Sequence, residues 1–66
     1  MQISLCEVAK VKEFVNVAQS KTCEVTLISG KYVVDAKSIL GIFSLDLSNP
    51  LTVESEDLSG FEIFAV

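Results

Sequence analysis

Polar and apolar residues alternate over residues 2–5 (Gln2-Ile3-Ser4-Leu5), the period-two pattern of a half-buried strand. From residue 8 the period lengthens. Val8, Val11, Phe14, Val15 and Ala18 fall on one face at helical spacing, with Lys10, Lys12, Glu13, Asn16 and Gln19 mostly on the other. That predicts an amphipathic helix of about three turns, ended by Ser20-Lys21-Thr22. Its start has two readings. Ser4-Leu5-Cys6-Glu7 has the S-x-x-E form of a capping box. A start at Cys6 or Glu7 leaves a longer strand before it.

Alternation returns over 23–28, with Cys23, Val25 and Leu27 on one face and Cys23 expected in the core. Ser29-Gly30 is a hairpin signal, Gly supplying the positive φ. Residues 31–36, rich in β-branched and aromatic types, form the return strand. Ser38 is placed to N-cap a short helix through Ile39, Leu40, Gly41, Ile42 and Phe43. Asp46 to Pro50 reads as a loop, and Leu51-Thr52-Val53-Glu54 as the last clear strand. The tail is divided. Leu58, Phe61, Phe64 and Ala65 fit a helical face, whereas Phe61, Ile63 and Ala65 fit a strand. The order β-α-β-β-α-β defines an α+β class, with helices covering one face of an antiparallel sheet. Periodicity leaves the strand pairing open.

Sixty-six residues allow one domain, 1–66. Half the residues are apolar and mean hydropathy is +0.52, which excludes a disordered tail. Five cations, all lysines, against nine acids give −4. That balance shows no basic face and speaks against direct nucleic-acid binding. There is no histidine, which removes the usual metal ligand and general base. Two isolated cysteines, Cys6 and Cys23, make no metal site, and no metal or cofactor is expected. The first residues lack the basic start and apolar run of a secretory signal. Both thiols are therefore expected free, in a reducing cytoplasm. The longest apolar run, Ile39 to Phe43, is too short to span a membrane.

The segment Gly30-Lys31-Tyr32-Val33-Val34-Asp35-Ala36-Lys37-Ser38-Ile39-Leu40-Gly41-Ile42-Phe43-Ser44-Leu45 carries more information. It resembles the centre of HPr, the phosphocarrier family of the bacterial sugar phosphotransferase system. There a hairpin strand runs into K-S-I/L-M/L-G-V/I-M-S-L. The likeness is specific over 30–45 and loose over 2–54. It implies an open-faced β-sandwich of four antiparallel strands in the order 1-4-2-3, helices on one side. Two departures stand out. The family's phosphorylatable histidine and the arginine after it are missing, and Leu5-Cys6-Glu7-Val8-Ala9-Lys10 occupies that region. The tail is also too short for the family's C-terminal helix, which is truncated or replaced.

The resemblance assigns expected sites. Ser38 matches the family's regulatory serine, phosphorylated by HPr kinase in Gram-positive bacteria. By residue type alone it is simply a helix cap. Ile39, Leu40 and Phe43, with Lys37, match the surface that docks partner proteins. A five-residue helix cannot bury Ile39, Leu40, Ile42 and Phe43 on one side, so some of them face out. Cys6, Glu7 and Lys10 form a vestigial active-site region. Lys10 lies near the family's arginine but lacks its bidentate fork. Cys6 is most economically an inert residue, although helix N-termini favour thiolates.

The expected function is an HPr-like regulatory protein of the phosphotransferase system, non-enzymatic, in a bacterial cytoplasm. It docks partner proteins through the helix after Ser38 and does not carry phosphate on histidine. A branch of the family that serves catabolite repression lacks the histidine, keeps the serine and acts with a transcription regulator. The alternative is a structural or oligomerising relic without phosphate chemistry, able to pair as a homodimer, with the apolar tail covering an open face or a neighbour's. A thiol protein using Cys6 is the third reading.

Overall fold

A computed structural model describes all of residues 1–66. The elements are strand β1 (Gln2–Ile3), helix α1 (Val8–Gln19), strands β2 (Val25–Ser29) and β3 (Tyr32–Asp35), helix α2 (Ile39–Phe43) and strand β4 (Leu51–Ser55). A 3-10 turn, Glu62–Phe64, follows. The four strands form one antiparallel sheet in the order β1-β4-β2-β3. This is the α+β arrangement expected from the element order, with the strand order that the resemblance implied.

Alternation sets the two faces of the sheet. Leu27 lies opposite both Val34 and Val53, and Ile3 opposite Leu51. Of these, Ile3, Leu27, Leu51 and Val53 are buried beneath the helices. The intervening row holds Thr26 between Asp35 and Glu54, and Ile28 between Val33 and Thr52. Cys23 falls before β2 and is only half-buried. It sits 3.3 Å from the Ser55 hydroxyl rather than in the core. The hairpin turns one residue later than its signal. Ser29 pairs with Tyr32, leaving Gly30-Lys31 as the loop. Gly30 takes φ 57 at the first loop position, as a type II′ turn requires.

Helix α1 buries Val11, Phe14, Val15 and Ala18. Val8 is 59% exposed instead. At ~100° per residue it stands about 70° from the centre of that stripe, on the free first turn. Of the two readings of the helix start the later one holds, and the capping box does not form. Glu7 is the N-cap, without a side-chain cap bond. Leu5 is fully buried, and the Ser4 N–H donates to the Phe64 carbonyl at 3.0 Å. Those two anchors keep Ser4 beside the sheet and move the helix start downstream.

The tail forms a clasp over the core. Phe61 and Phe64 are buried, with ring centroids 5.1 and 5.7 Å from Phe14. Ala65 then bridges to Ile3. Both readings of the tail are thus partly met, and Ile63 is left 65% exposed. The tail closes over the core of its own chain.

Lys21 ties the loop before the clasp. Its side chain is 8% exposed, and its ammonium pairs with Asp57 at 3.2 Å. It also donates to the Ser59 hydroxyl at 2.9 Å and to the Ser59 carbonyl, 5.4 Å from the centre of the Phe61 ring. Gly60 follows at φ 89, and a Cβ there would lie 3.0 Å from Val17 Cγ1. Gly60→Ala is therefore strained in backbone and crowded in space. It should cost about 1–2 kcal/mol or more, read as a melting point lowered by roughly 4–8 °C per kcal/mol. An unchanged melt would show that the loop adapts freely.

Candidate functional site

The site is built on the chain between β3 and α2. Asp35 Oδ1 accepts from the Lys37 N–H at 2.9 Å, and the Asp35 carbonyl accepts from the Ser38 N–H at 3.0 Å. This turn lifts Ser38 to the exposed N-cap of α2, at φ −102 and ψ 106. Its hydroxyl oxygen accepts from the Gly41 N–H at 3.3 Å, the cap expected from residue type. Gly41 permits a close approach. A Cβ there would be 3.4 Å from Ser38 Oγ and 3.6 Å from Val34 Cβ.

Helix α2 is divided lengthwise. Ile42 is fully buried and Ile39 packs half-buried against the core. Leu40 is 81% exposed and Phe43, three residues on, is 42% exposed. Neighbours three apart share a helix face. Leu40 and Phe43 therefore form an apolar ledge beside the Ser38 hydroxyl. Isolated exposed apolar residues are ordinary, but two on one helix face beside an exposed capping hydroxyl make a small apolar patch.

Lys37 is placed otherwise than a free surface cation. It is half-buried, and its ammonium donates to the Lys21 carbonyl at 3.1 Å, just beyond α1. Gln19 Nε2 donates back to the Lys37 carbonyl at 3.2 Å. Lys37 thus locks α2 against the end of α1, and its charge does not reach out beside Ser38. Cys6, Glu7 and Lys10 are all exposed at the start of α1. The Glu7 carbonyl accepts from the Lys10 N–H at 3.0 Å, an ordinary first-turn bond. Cys6 is a free thiol, as is Cys23. No three His, Cys, Asp or Glu side chains gather as a metal ion requires. No helix is long and apolar enough to cross a membrane.

The Lys21–Asp57–Ser59 cluster was not legible beforehand, since Lys21 lies far from the other two in the chain and the three form no motif. Its charge has a consequence. Hydrogen bonds from the Ser59 hydroxyl at 2.6 Å and the Ser59 N–H at 3.0 Å, with Lys21 beside it, hold the Asp57 carboxyl at about 2, below the ordinary 3.8. A lowered folded value contributes stability that is complete above the unfolded value and lost as pH falls through the folded one. The melting-point gap between wild type and Asp57→Asn should therefore hold at pH 5 and close between about pH 4 and 2. A gap independent of pH would remove Asp57 from this role.

An antiparallel four-stranded sheet with two helices on one face, the shorter of them capped by a serine, defines an open-faced α+β module. Residues 8–56, from the first turn of α1 to just past β4, match the family model described as the PTS HPr component phosphorylation site. The chain belongs to the HPr family of the phosphotransferase system. Members of that family are phosphocarriers that work with other proteins of the system, not enzymes. No curated protein and no solved structure matches the chain.

Proposed function

We propose that this chain is a regulatory HPr-family protein that docks partner proteins through the exposed face of α2 and is controlled by phosphate on Ser38. The observation that carries the reading is the ledge itself. Leu40, 81% exposed, and Phe43 stand on the helix that an exposed Ser38 caps. A phosphate on Ser38 adds nearly two negative charges at the rim of an apolar contact, which disfavours an apolar or acidic partner. Lys37, the adjoining cation in the chain, is engaged by the Lys21 carbonyl and neutralises that charge only by moving. The absence of histidine removes the residue that carries phosphate in the family. Cys6, Glu7 and Lys10 then serve as scaffold or rim, not as a transfer site.

Two assays test this reading together. Incubation with enzyme I and phosphoenolpyruvate should leave the mass of the chain unchanged, and phosphate on Cys6 would overturn the non-carrier assignment. Titration of the isotope-labelled chain with HPr kinase should shift the amide signals of 38–43 first. Shifts confined to other surfaces would displace the docking site from α2.

A further inference from the structure

The two edges of the sheet are finished differently. β1 is covered by the tail: Ala65 bridges to Ile3, and the Val66 N–H donates to the Gln2 carbonyl at 3.2 Å. β3, at the opposite edge, pairs with β2 alone. Natural sheets blunt a bare edge with proline, bulges or isolated charge. Here the strand reads Tyr32-Val33-Val34-Asp35, without proline, and Tyr32 and Val33 are 71% and 64% exposed.

Hydrogen-bonded and non-bonded pairs alternate along an antiparallel ladder. The Ala36 N–H donates to the Val25 carbonyl at 3.0 Å, and Val34 and Tyr32 share its phase. The main-chain groups of Val33 and the N–H of Asp35 therefore face away from β2, while the Asp35 carbonyl accepts from the Ser38 N–H and Lys31 lies in the turn beside them. The Val33 and Asp35 side chains share the face of the sheet that carries no helix, in the row alternate to buried Leu27, and Lys31 is exposed at the adjoining turn. Neither Lys31 nor Asp35 is in an ion pair within the chain. Asp35 uses only Oδ1, for the Lys37 N–H.

We propose that the chain forms a two-fold dimer in which β3 pairs antiparallel with β3 of a second copy, continuing the sheet across both. A two-fold interface must be complementary to itself. Only registers that oppose outward-facing residues form hydrogen bonds, and one of these matches the charges. With Val33 against Val33 of the second copy, Lys31 faces Asp35 of the second copy, twice by symmetry. A shift of two residues one way sets Lys31 against Lys37. The other shift sets Asp35 against Ser29. In the favoured register exposed Tyr32 also lies across from half-buried Val34 of the second copy, so apolar groups meet on both faces.

Sedimentation of the full chain over a concentration series tests this. Wild type should show a monomer–dimer equilibrium that weakens with salt. Lys31→Glu, in an exposed turn, sets like charges opposite each other and should weaken the dimer about tenfold or more. Asp35→Lys should do the same. An equimolar mixture of the two variants restores both ion pairs and should form a heterodimer where neither pairs alone. Val33→Pro removes the outward N–H without breaking the ladder to β2 and should leave a folded monomer. Because Lys31→Glu and Val33→Pro alter only outward groups, they decide the matter even if Asp35→Lys does not fold. A monomer at every concentration overturns the proposal. So does a dimer that both of those variants leave intact.

Discussion

Phe14→Ala should unfold the protein. Phe14 is fully buried at the meeting point of α1 and the tail, with Phe61 and Phe64 against its ring. Truncating a buried Phe to Ala costs about 3–5 kcal/mol in lost transfer energy and cavity. A core in a chain of this size supplies only about 3–5 kcal/mol net. The loss matches the whole margin, so circular dichroism at 25 °C should show little helix and no cooperative melt. Phe14→Leu, which keeps most of the volume, should still fold at a lower melting point. A cooperative melt in Phe14→Ala near the wild-type temperature would mean that the aromatic clasp contributes little. Since the tail is held by this cluster and by Lys21, the same result would free the tail from its assigned place.

Leu40→Asp should separate stability from docking. Leu40 is 81% exposed, so the substitution removes little burial from the folded chain and its melting point should stay within a few degrees. In the proposed complex the same side chain sits at the centre of the contact, and a charge there must be desolvated. Central apolar anchors cost about 2 kcal/mol or more on truncation, about thirtyfold in Kd. Calorimetric titration with HPr kinase should show at least that loss, and Phe43→Asp a comparable one. Unchanged affinity in a folded Leu40→Asp chain would move the partner surface elsewhere.

The local parts of the structure were legible because they depend on one face at a time. The helical period of α1 and the alternation of β2 and β4 identify buried positions without knowledge of what covers them. The cap at Ser38 is equally local, one hydroxyl and the Gly41 N–H. The strand order came from the family resemblance and not from periodicity. The misread features answer to long-range contacts. The apparent capping box at Ser4 yields to its bond with Phe64, at the far end of the chain. Phe61 and Phe64 share the helical face of one tail reading, yet the turn that joins them is 3-10 and runs straight into the Ala65 bridge to Ile3. Lys37 and Lys21 look alike as surface lysines, yet both have their ammonium groups engaged by distant main-chain carbonyls. At the site, the apolar content of α2 required some side chain to face out. Which ones do so depends on where the core lies, and that leaves Leu40 and Phe43 outside and Ile42 within.

Phosphorylation itself is the most direct measurement. Intact mass is recorded after incubation with HPr kinase and ATP, beside Ser38→Ala, with both proteins shown to be folded by circular dichroism. One phosphate added to the wild type and none to Ser38→Ala is the predicted result, and it places control on the cap of α2. A folded wild type that gains no phosphate, or a Ser38→Ala chain that still gains one, contradicts regulation at Ser38.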